Sequence, residues 1–122
     1  MLIAVAVVAL SFSSCKFVKT EAVVDVQLKF YGINAGEGKL VYLFNDTADR
    51  SDKKNAKRSI ATDASGVAHC ALRSPMDFTY SILADEDHTF FFVYFDEDGV
   101  NKAEKAVTIS TGEAKSITLN VL

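Results

Sequence analysis

Two histidines and one internal cysteine are the side chains best suited to nucleophilic or metal chemistry. Zinc sites use three or four ligands at recognisable spacing, and His69 and His88 are isolated from each other in the sequence. Cys70 adjoins His69, but neighbours in a strand point to opposite faces. We therefore interpret Cys70 as a small buried residue, and predict no metal, no cofactor and no enzymatic activity. The alternatives are a reactive thiol, a histidine-based hydrolase, or a disulfide with Cys15.

Two acidic clusters flank the aromatic run of residues 88–95. Calcium prefers several oxygen ligands on loops, so the candidate ligand-binding residues are Asp85 and Asp87 before the run, and Asp96 and Asp98 after it. A strand of this length spans roughly 25 Å at about 3.3 Å per residue. The clusters are therefore expected at opposite ends of the domain and cannot form one site, and solvated turns are the simpler interpretation.

The chain opens with ten apolar residues, 1–10, followed by the small-residue stretch 11–14. The run is shorter than the roughly 20 residues of a membrane-spanning helix, and its length is typical of a secretory signal. No basic residue precedes Lys16, so a few upstream residues are expected if the start codon is misassigned. A buried strand or core helix is the alternative.

Residues 12–15 (Phe-Ser-Ser-Cys) resemble a bacterial lipobox. The resemblance implies that Cys15 receives lipid and becomes the new amino terminus; a plain secretory signal without lipid is the alternative. The chain then divides into a signal peptide (1–14), a lipidated tether (15–21) and one domain (22–122). Acyl chains give about 0.8 kcal/mol per buried methylene, so the implied partner of Cys15 is a membrane.

Alternation of apolar and polar residues dominates the remaining chain, which predicts strands throughout. The continuous apolar run 88–95 predicts a central strand covered on both faces, while residues 46–57 are polar and predict a long exposed loop. We predict an all-β, Greek-key β-sandwich of about seven strands, transthyretin-like or immunoglobulin-like. The predicted strands are 24–30, 39–45, 58–62, 67–72, 78–84, 88–95, 106–110 and 116–122.

A family resemblance rests on the run 41–44, the turn 63–66 (Asp-Ala-Ser-Gly), Cys70 and the aromatic-bearing segment 78–82. Across residues 24–84 this pattern resembles the transthyretin-like sandwich, and more narrowly the carboxypeptidase-regulatory-like domains of bacterial surface proteins. The lipid-anchored build looks most like that of Bacteroidota lipoproteins. The resemblance implies a non-enzymatic accessory domain, a spacer or an adhesive module.

The formal charge of −3, with scattered basic residues, does not give the basic patch of a nucleic-acid binder. The predicted function is therefore a lipid-anchored interaction or structural module of the cell envelope, with loop 46–57 as the recognition element. Lysine at position 16 indicates sorting to the outer membrane by the enterobacterial rule. The alternative is an envelope protein that binds a small ligand, calcium or a glycan, the last on one face of the aromatic strand.

Overall fold

The computed structural model describes residues 21–73, 77–78 and 87–122. The predicted signal peptide, Cys15, Asp85 and most of the predicted strand 78–84 lie outside these ranges. Within them no helix is long and apolar enough to cross a membrane. The strands are β1 Glu21–Phe30, β2 Ile33–Asn34, β3 Leu40–Asn45, β4 Arg58–Ala61, β5 Val67–Arg73, β6 His88–Phe95, β7 Asn101–Ile109 and β8 Ala114–Val121, with a 3-10 turn at Lys53–Asn55.

Two sheets form a sandwich, which confirms the predicted fold class. In the first sheet β1 pairs in parallel with β8 and antiparallel with β5 and the short β2. The second sheet is antiparallel in the order β4-β3-β6-β7. Among the described strands, β3, β4 and β5 follow one another along the chain, and β6 then returns to pair with β3. The resulting spatial order β6-β3-β4-β5 is a Greek key.

The two long N-terminal strands, β1 and β3, lie in different sheets. In the constant-type immunoglobulin order the first two strands share one sheet. The strand order therefore differs from the immunoglobulin alternative that the sequence left open.

The main core fills the space between the sheets. Alternate residues of β1 and β5 face inward, including Val24, Val26 and Cys70, while His69 faces solvent, as the alternation predicted. A fully buried side chain of this kind contributes about 1.5–3 kcal/mol. The largest fully buried side chains of this core are Leu28, Leu43, Leu72, Phe78, Phe90, Phe92, Ile109 and Leu119.

Strand β6 is central, between β3 and β7, and is covered on both faces as predicted. Part of the cover on its outer face comes from loop 46–57, most of whose residues are exposed, as the sequence predicted. Ala48 and Ala56 of this loop pack on a second core of Phe44, Val93 and Phe95. The loop is therefore part of the folded structure, because it helps to shield Phe44, Val93 and Phe95 from water.

β1 begins three residues and β8 two residues before their predicted starts, and two further differences are larger in kind. β7 begins at Asn101 rather than at 106. The sequence prediction missed residues 101–105 because they are mostly exposed and carry no apolar alternation. The predicted loop 32–38 contains the two-residue strand β2, paired to Lys29 and Phe30.

Gly66 ends the predicted turn that joins β4 to β5, and has φ +82°. Its amide donates to the Asp63 carbonyl at 2.9 Å. A Cβ at this position would lie 2.6 Å from the Ala35 carbonyl oxygen and 2.8 Å from the Ala35 nitrogen. The turn therefore requires glycine for two independent reasons, the positive φ and the close backbone.

Substitution Gly66→Ala is expected to lower the free energy of unfolding by about 2 kcal/mol, from left-handed strain plus steric overlap. Gly99→Ala is the matched control, since Gly99 has a similar φ of +79° and a Cβ added there would meet no atom within 4 Å. It should cost about 1 kcal/mol. Urea unfolding measures both, and equal losses would contradict the backbone contact at Ala35.

Candidate functional site

An open cleft of about 190 Å³ lies at one end of the sandwich. We call it the distal cleft, because it is at the end where β1 finishes: the rings of Phe30 and Tyr94 meet there at 5.2 Å. The start of β1 is at the opposite end, where Gly112 donates to the Glu21 carbonyl at 2.7 Å. Nine residues line the cleft, among them Lys39, Tyr42, Lys53, Phe95, Asp96 and Glu97.

The aromatic wall of the cleft is formed by adjacent strands of the second sheet. Tyr42 of β3 and Phe95 of β6 pack edge to face with centroids 5.4 Å apart. Phe95 is buried, whereas Tyr42 is half-buried and lines the opening. The second core therefore anchors an aromatic ring at the boundary with solvent, where tyrosine suits an apolar body and a polar tip.

Loop 46–57 supplies the lysine wall. Asp52 caps the 3-10 turn, its Oδ1 accepting from the Lys54 amide at 2.9 Å. Arg50 holds the loop to the sheet: its guanidinium lies 3.6 Å from the Phe91 ring centroid, and its Nε donates to Glu104 Oε2 at 3.2 Å. Lys53 is thus carried by a loop with fixed attachments.

A buried threonine positions the second lysine. Thr62 is only 3 % exposed, and its hydroxyl accepts from the Lys39 amide at 3.0 Å and donates to the Gly36 carbonyl at 2.7 Å. The Gly38 amide donates to the Thr62 carbonyl at 2.8 Å. These bonds hold the segment before β3 against β4, and so fix the backbone of Lys39.

The acidic turn after β6 forms the opposite wall. Asp96 Oδ1 accepts from the amides of Asp98 and Val100, both at 2.9 Å, and Oδ2 lies 3.9 Å from Lys102 Nζ. Burial first, and then the nearby carboxylates Asp96 and Glu97, raise the pKa of Tyr94. The Asp96 carboxylate therefore holds the turn together through hydrogen bonds. The Glu97 carboxylate lines the cleft, and no hydrogen bond to it is found among the described residues.

Three charged side chains at the cleft have no intramolecular partner among the described residues: neither a hydrogen bond nor an ion pair is found for the side chains of Lys39, Lys53 and Glu97. Exposed ionic groups without partners keep donors and acceptors available to a ligand. The arrangement can bind a small polar molecule against an aromatic wall.

The predicted ligand-binding carboxylates are separated as expected. Asp96 and Asp98 belong to the turn at the distal end, whereas Asp87 precedes β6 at the other end. No group of three or more histidine, cysteine or acidic residues suited to a metal ion occurs among the described residues. Calcium binding stays a prediction, and Asp96 would have to release two amides to take part in it.

The sequence missed Tyr42 and Lys39 as site residues, because each looked like an ordinary strand residue. Lys53 was included only within the predicted recognition loop. The local signal for Tyr42 was its position on the outer, nominally solvent-facing side of an alternating strand.

His69 forms a different cluster, on the outer face of the first sheet. Its Nδ1 lies 2.8 Å from Asp25 Oδ1 and its Nε2 lies 2.9 Å from Asp63 Oδ2. These hydrogen bonds to Asp63 and then Asp25 raise the pKa of His69 above 6.5. With both ring nitrogens engaged, His69 ties β1, β5 and the β4–β5 turn together and offers no free nitrogen for proton abstraction.

The stability contribution of His69 should depend on pH. A folded-state pKa above the unfolded value gives stability that is full below about pH 6.5 and is lost as pH rises through the folded pKa. The Tm difference between wild type and His69→Ala is therefore expected to be larger near about pH 5.5 than near about pH 9.

Arg73→Ala is the control for this measurement. Arg73 pairs with Glu21 at 2.8 Å on the same sheet and both side chains are exposed. Arginine and glutamate ordinarily change charge outside this pH range, so the Tm difference for Arg73→Ala should stay constant. A constant difference for His69→Ala as well would contradict the two carboxylate contacts.

Cys70 is 1 % exposed, and burial raises the pKa of its thiol to about 11. The thiol is therefore protonated at neutral pH, which matches its interpretation as a buried apolar residue. Arg58 lies beside it, with Nη2 at 3.4 Å from the sulfur and 3.3 Å from Asp77 Oδ2.

His88 starts β6 at the end opposite the distal cleft. Its ring packs on Phe78 at 5.1 Å, and its buried Nε2 has no hydrogen-bond partner among the described residues. With Asp46 and Asp87 it lines a polar depression of about 290 Å³. His88 lies in the second sheet, whereas the His69 side chain lies on the outer, solvent-facing side of the first sheet. The two histidines therefore do not share a site.

Comparisons with known proteins concern the fold. A DUF3823 family protein from Parabacteroides merdae matches over 84 % of this chain with 14 % identity and a TM-score of 0.49, and the match covers 46 % of that protein. The major pilin subunit BcpA of Bacillus cereus matches over 82 % with 15 % identity and a TM-score of 0.48, covering 28 % of that chain. The minor pilin GBS52 of Streptococcus agalactiae matches over 84 % with 13 % identity and a TM-score of 0.49, covering 45 %.

The chain thus spans less than half the length of each of these bacterial proteins. No family model and no curated protein matches the sequence.

Proposed function

We propose that this protein is a lipid-anchored, non-enzymatic module of the cell envelope, held at the outer membrane through Cys15, that binds a partner at its distal cleft. The observation that carries the proposal is the cleft itself. Three fixed backbone segments present Lys39, Lys53 and Glu97 beside Tyr42, and these charges have no partner among the described residues. Rigid scaffolds that display loop residues in this way are typical of binding proteins.

The position of the cleft supports the anchoring part of the proposal. The proposed tether of residues 15–21 would lead directly into β1, whose first residue is Glu21. Ten residues of strand span about 33 Å at about 3.3 Å each. The cleft therefore lies at the far end of β1 from the proposed membrane attachment, open to a molecule that approaches from the side away from the lipid.

We further propose that the fold is transthyretin-like. The placement of β1 and β3 in different sheets, which differs from the immunoglobulin order, supports this assignment. An assignment to this superfold carries no activity with it, since such folds serve many functions.

Intact-mass spectrometry of the wild type and of Cys15→Ala, from membrane and soluble fractions, tests the anchor. The wild type should begin at Cys15 and carry acyl mass, and the variant should leave the membrane or stay unprocessed. A soluble, unacylated wild type would remove the tether from the proposal.

A second measurement tests the binding part. Purified envelope fractions are cross-linked to the wild type and to Lys53→Glu, an exposed change that leaves the cap of Asp52 intact. Partner contacts should weaken in the variant but not in Lys115→Glu, at the other end of the first sheet. Contacts that are equal in all three proteins would argue against the cleft.

A further inference from the structure

We infer that the distal cleft binds a neutral saccharide ring, such as one hexopyranose residue of an envelope glycan. This inference rests on the proposed function, since it names the ligand class of the same site. It is carried by three features of the cleft: its size, its aromatic wall and its charges of both signs.

The size of the cleft suits one ring. Its volume of about 190 Å³ corresponds to about six water molecules at about 30 Å³ each. Sites for drug-sized ligands begin near about 300 Å³. A single polyhydroxylated ring fits this space, with any further residues of a glycan outside it.

The aromatic wall distinguishes a sugar from an inorganic ion. Tyr42 is held by its edge-to-face contact with Phe95 at 5.4 Å, and no hydrogen bond of its hydroxyl is found among the described residues. The carbon–hydrogen face of a pyranose can pack on such a ring while its hydroxyls reach water or polar side chains. A phosphate or a metal ion gains nothing from an apolar wall.

Charges of both signs line the cleft. Lys39 and Lys53 bring ammonium groups and Glu97 brings a carboxylate, while the Asp96 carboxylate also lines the cleft but lies 3.9 Å from Lys102 Nζ. A ligand with a large net charge of either sign would meet attraction and repulsion together. Hydroxyl groups both donate and accept, so a neutral sugar can use the lysines as donors and Glu97 as an acceptor.

Saturation-transfer NMR on the mature full chain tests the inference, with glucose, galactose, mannose and N-acetylglucosamine as separate probes. If the protein carries lipid, a detergent without a sugar headgroup is used. At least one hexose should show transfer to its ring protons. Tyr42→Ala should weaken binding of that hexose at least tenfold, while Tyr42→Phe should retain most of it.

The matched control is Tyr31→Ala. Tyr31 is 75 % exposed at the same end of the domain but does not line the cleft, so its loss should leave hexose binding unchanged. Because Tyr42 also packs on Phe95, the exposed changes Glu97→Lys and Lys53→Glu serve as variants that keep the second core. Each should reduce binding severalfold.

Absence of transfer to all four hexoses, or transfer that persists in folded Tyr42→Ala, would overturn the inference. So would equal losses in Tyr42→Ala and Tyr31→Ala. The anchor is measured separately by mass. A lipidated protein that binds none of the hexoses would therefore overturn the saccharide inference alone. An unacylated protein that binds a hexose through Tyr42 would overturn the proposed lipid anchor alone.

Discussion

Replacing Phe44 by alanine is expected to lower the free energy of unfolding by about 4 kcal/mol, in the range for buried phenylalanines. Phe44 lies on the outer face of the second sheet, where an ordinary two-layer sandwich exposes its side chains to water. Here its exposed fraction is 0 %, and Ala48 and Ala56 of loop 46–57 pack against the cluster that it forms with Val93 and Phe95. Urea unfolding followed by circular dichroism measures the loss.

The control for this prediction is Thr118→Ala. Thr118 lies on the outer face of the first sheet, paired in register with Gln27, and is exposed. Surface changes of this kind stay within about 0.5 kcal/mol. If Phe44→Ala cost no more than Thr118→Ala, the second core would not contribute to stability and the loop would be only a surface segment.

The second core also shows where sequence reasoning stops. The unbroken apolar run of β6 correctly predicted a strand covered on both faces. Its cover could not be identified, because loop 46–57 contributes two alanine methyls and the guanidinium of Arg50 rather than an apolar period. Covering by small side chains and a cation leaves no trace in hydropathy.

Local chemistry predicted the turns and most strands. Asp63 and Gly66 close the β4–β5 turn as their residue types indicate, with Asp63 Oδ1 accepting from the Ser65 amide at 2.8 Å. The pairing of β1 with β8 joins residues about ninety positions apart, such as Phe30 and Val121. No local pattern encodes such a partner choice, which depends on how the whole core packs.

The distal cleft was predicted only in pieces, because its walls come from segments that are distant in the sequence. The sequence identified the acidic turn at Asp96, the recognition loop containing Lys53 and the aromatic strand ending at Phe95 as separate features. The fold brings them together with Tyr42 at one end of the second sheet. Their convergence depends on the β3–β6 register, in which Tyr42 lies opposite Val93, and on the loop folding back over that face.

Arg58→Ala is expected to lower the free energy of unfolding by about 3 kcal/mol. Arg58 Nη2 bonds the Ala71 carbonyl and lies 3.3 Å from Asp77 Oδ2, so it joins β4 of the second sheet to β5 of the first. Asp77 is only 8 % exposed, and among the described residues its carboxylate also accepts from the Arg73 amide at 2.8 Å. Removing the guanidinium leaves a buried carboxylate without its cation, a change that costs about 3–5 kcal/mol at fully buried sites; Arg58 is 38 % exposed, so the low end applies.

Two readouts separate this role from a surface ion pair. In urea unfolding, Arg58→Ala should show a large loss in the free energy of unfolding. Arg58→Lys should show an intermediate loss, because the lysine ammonium lacks the planar fork of arginine. The exposed Arg73→Ala should lose only about 0.5 kcal/mol. Cys70 should react with a thiol reagent about 100-fold faster in Arg58→Ala, because about 3 kcal/mol raises the open population by about that factor. Similar unfolding and labelling in Arg58→Ala and Arg73→Ala would mean that the two sheets are joined by their cores alone, and that Asp77 keeps its place through the Arg73 amide.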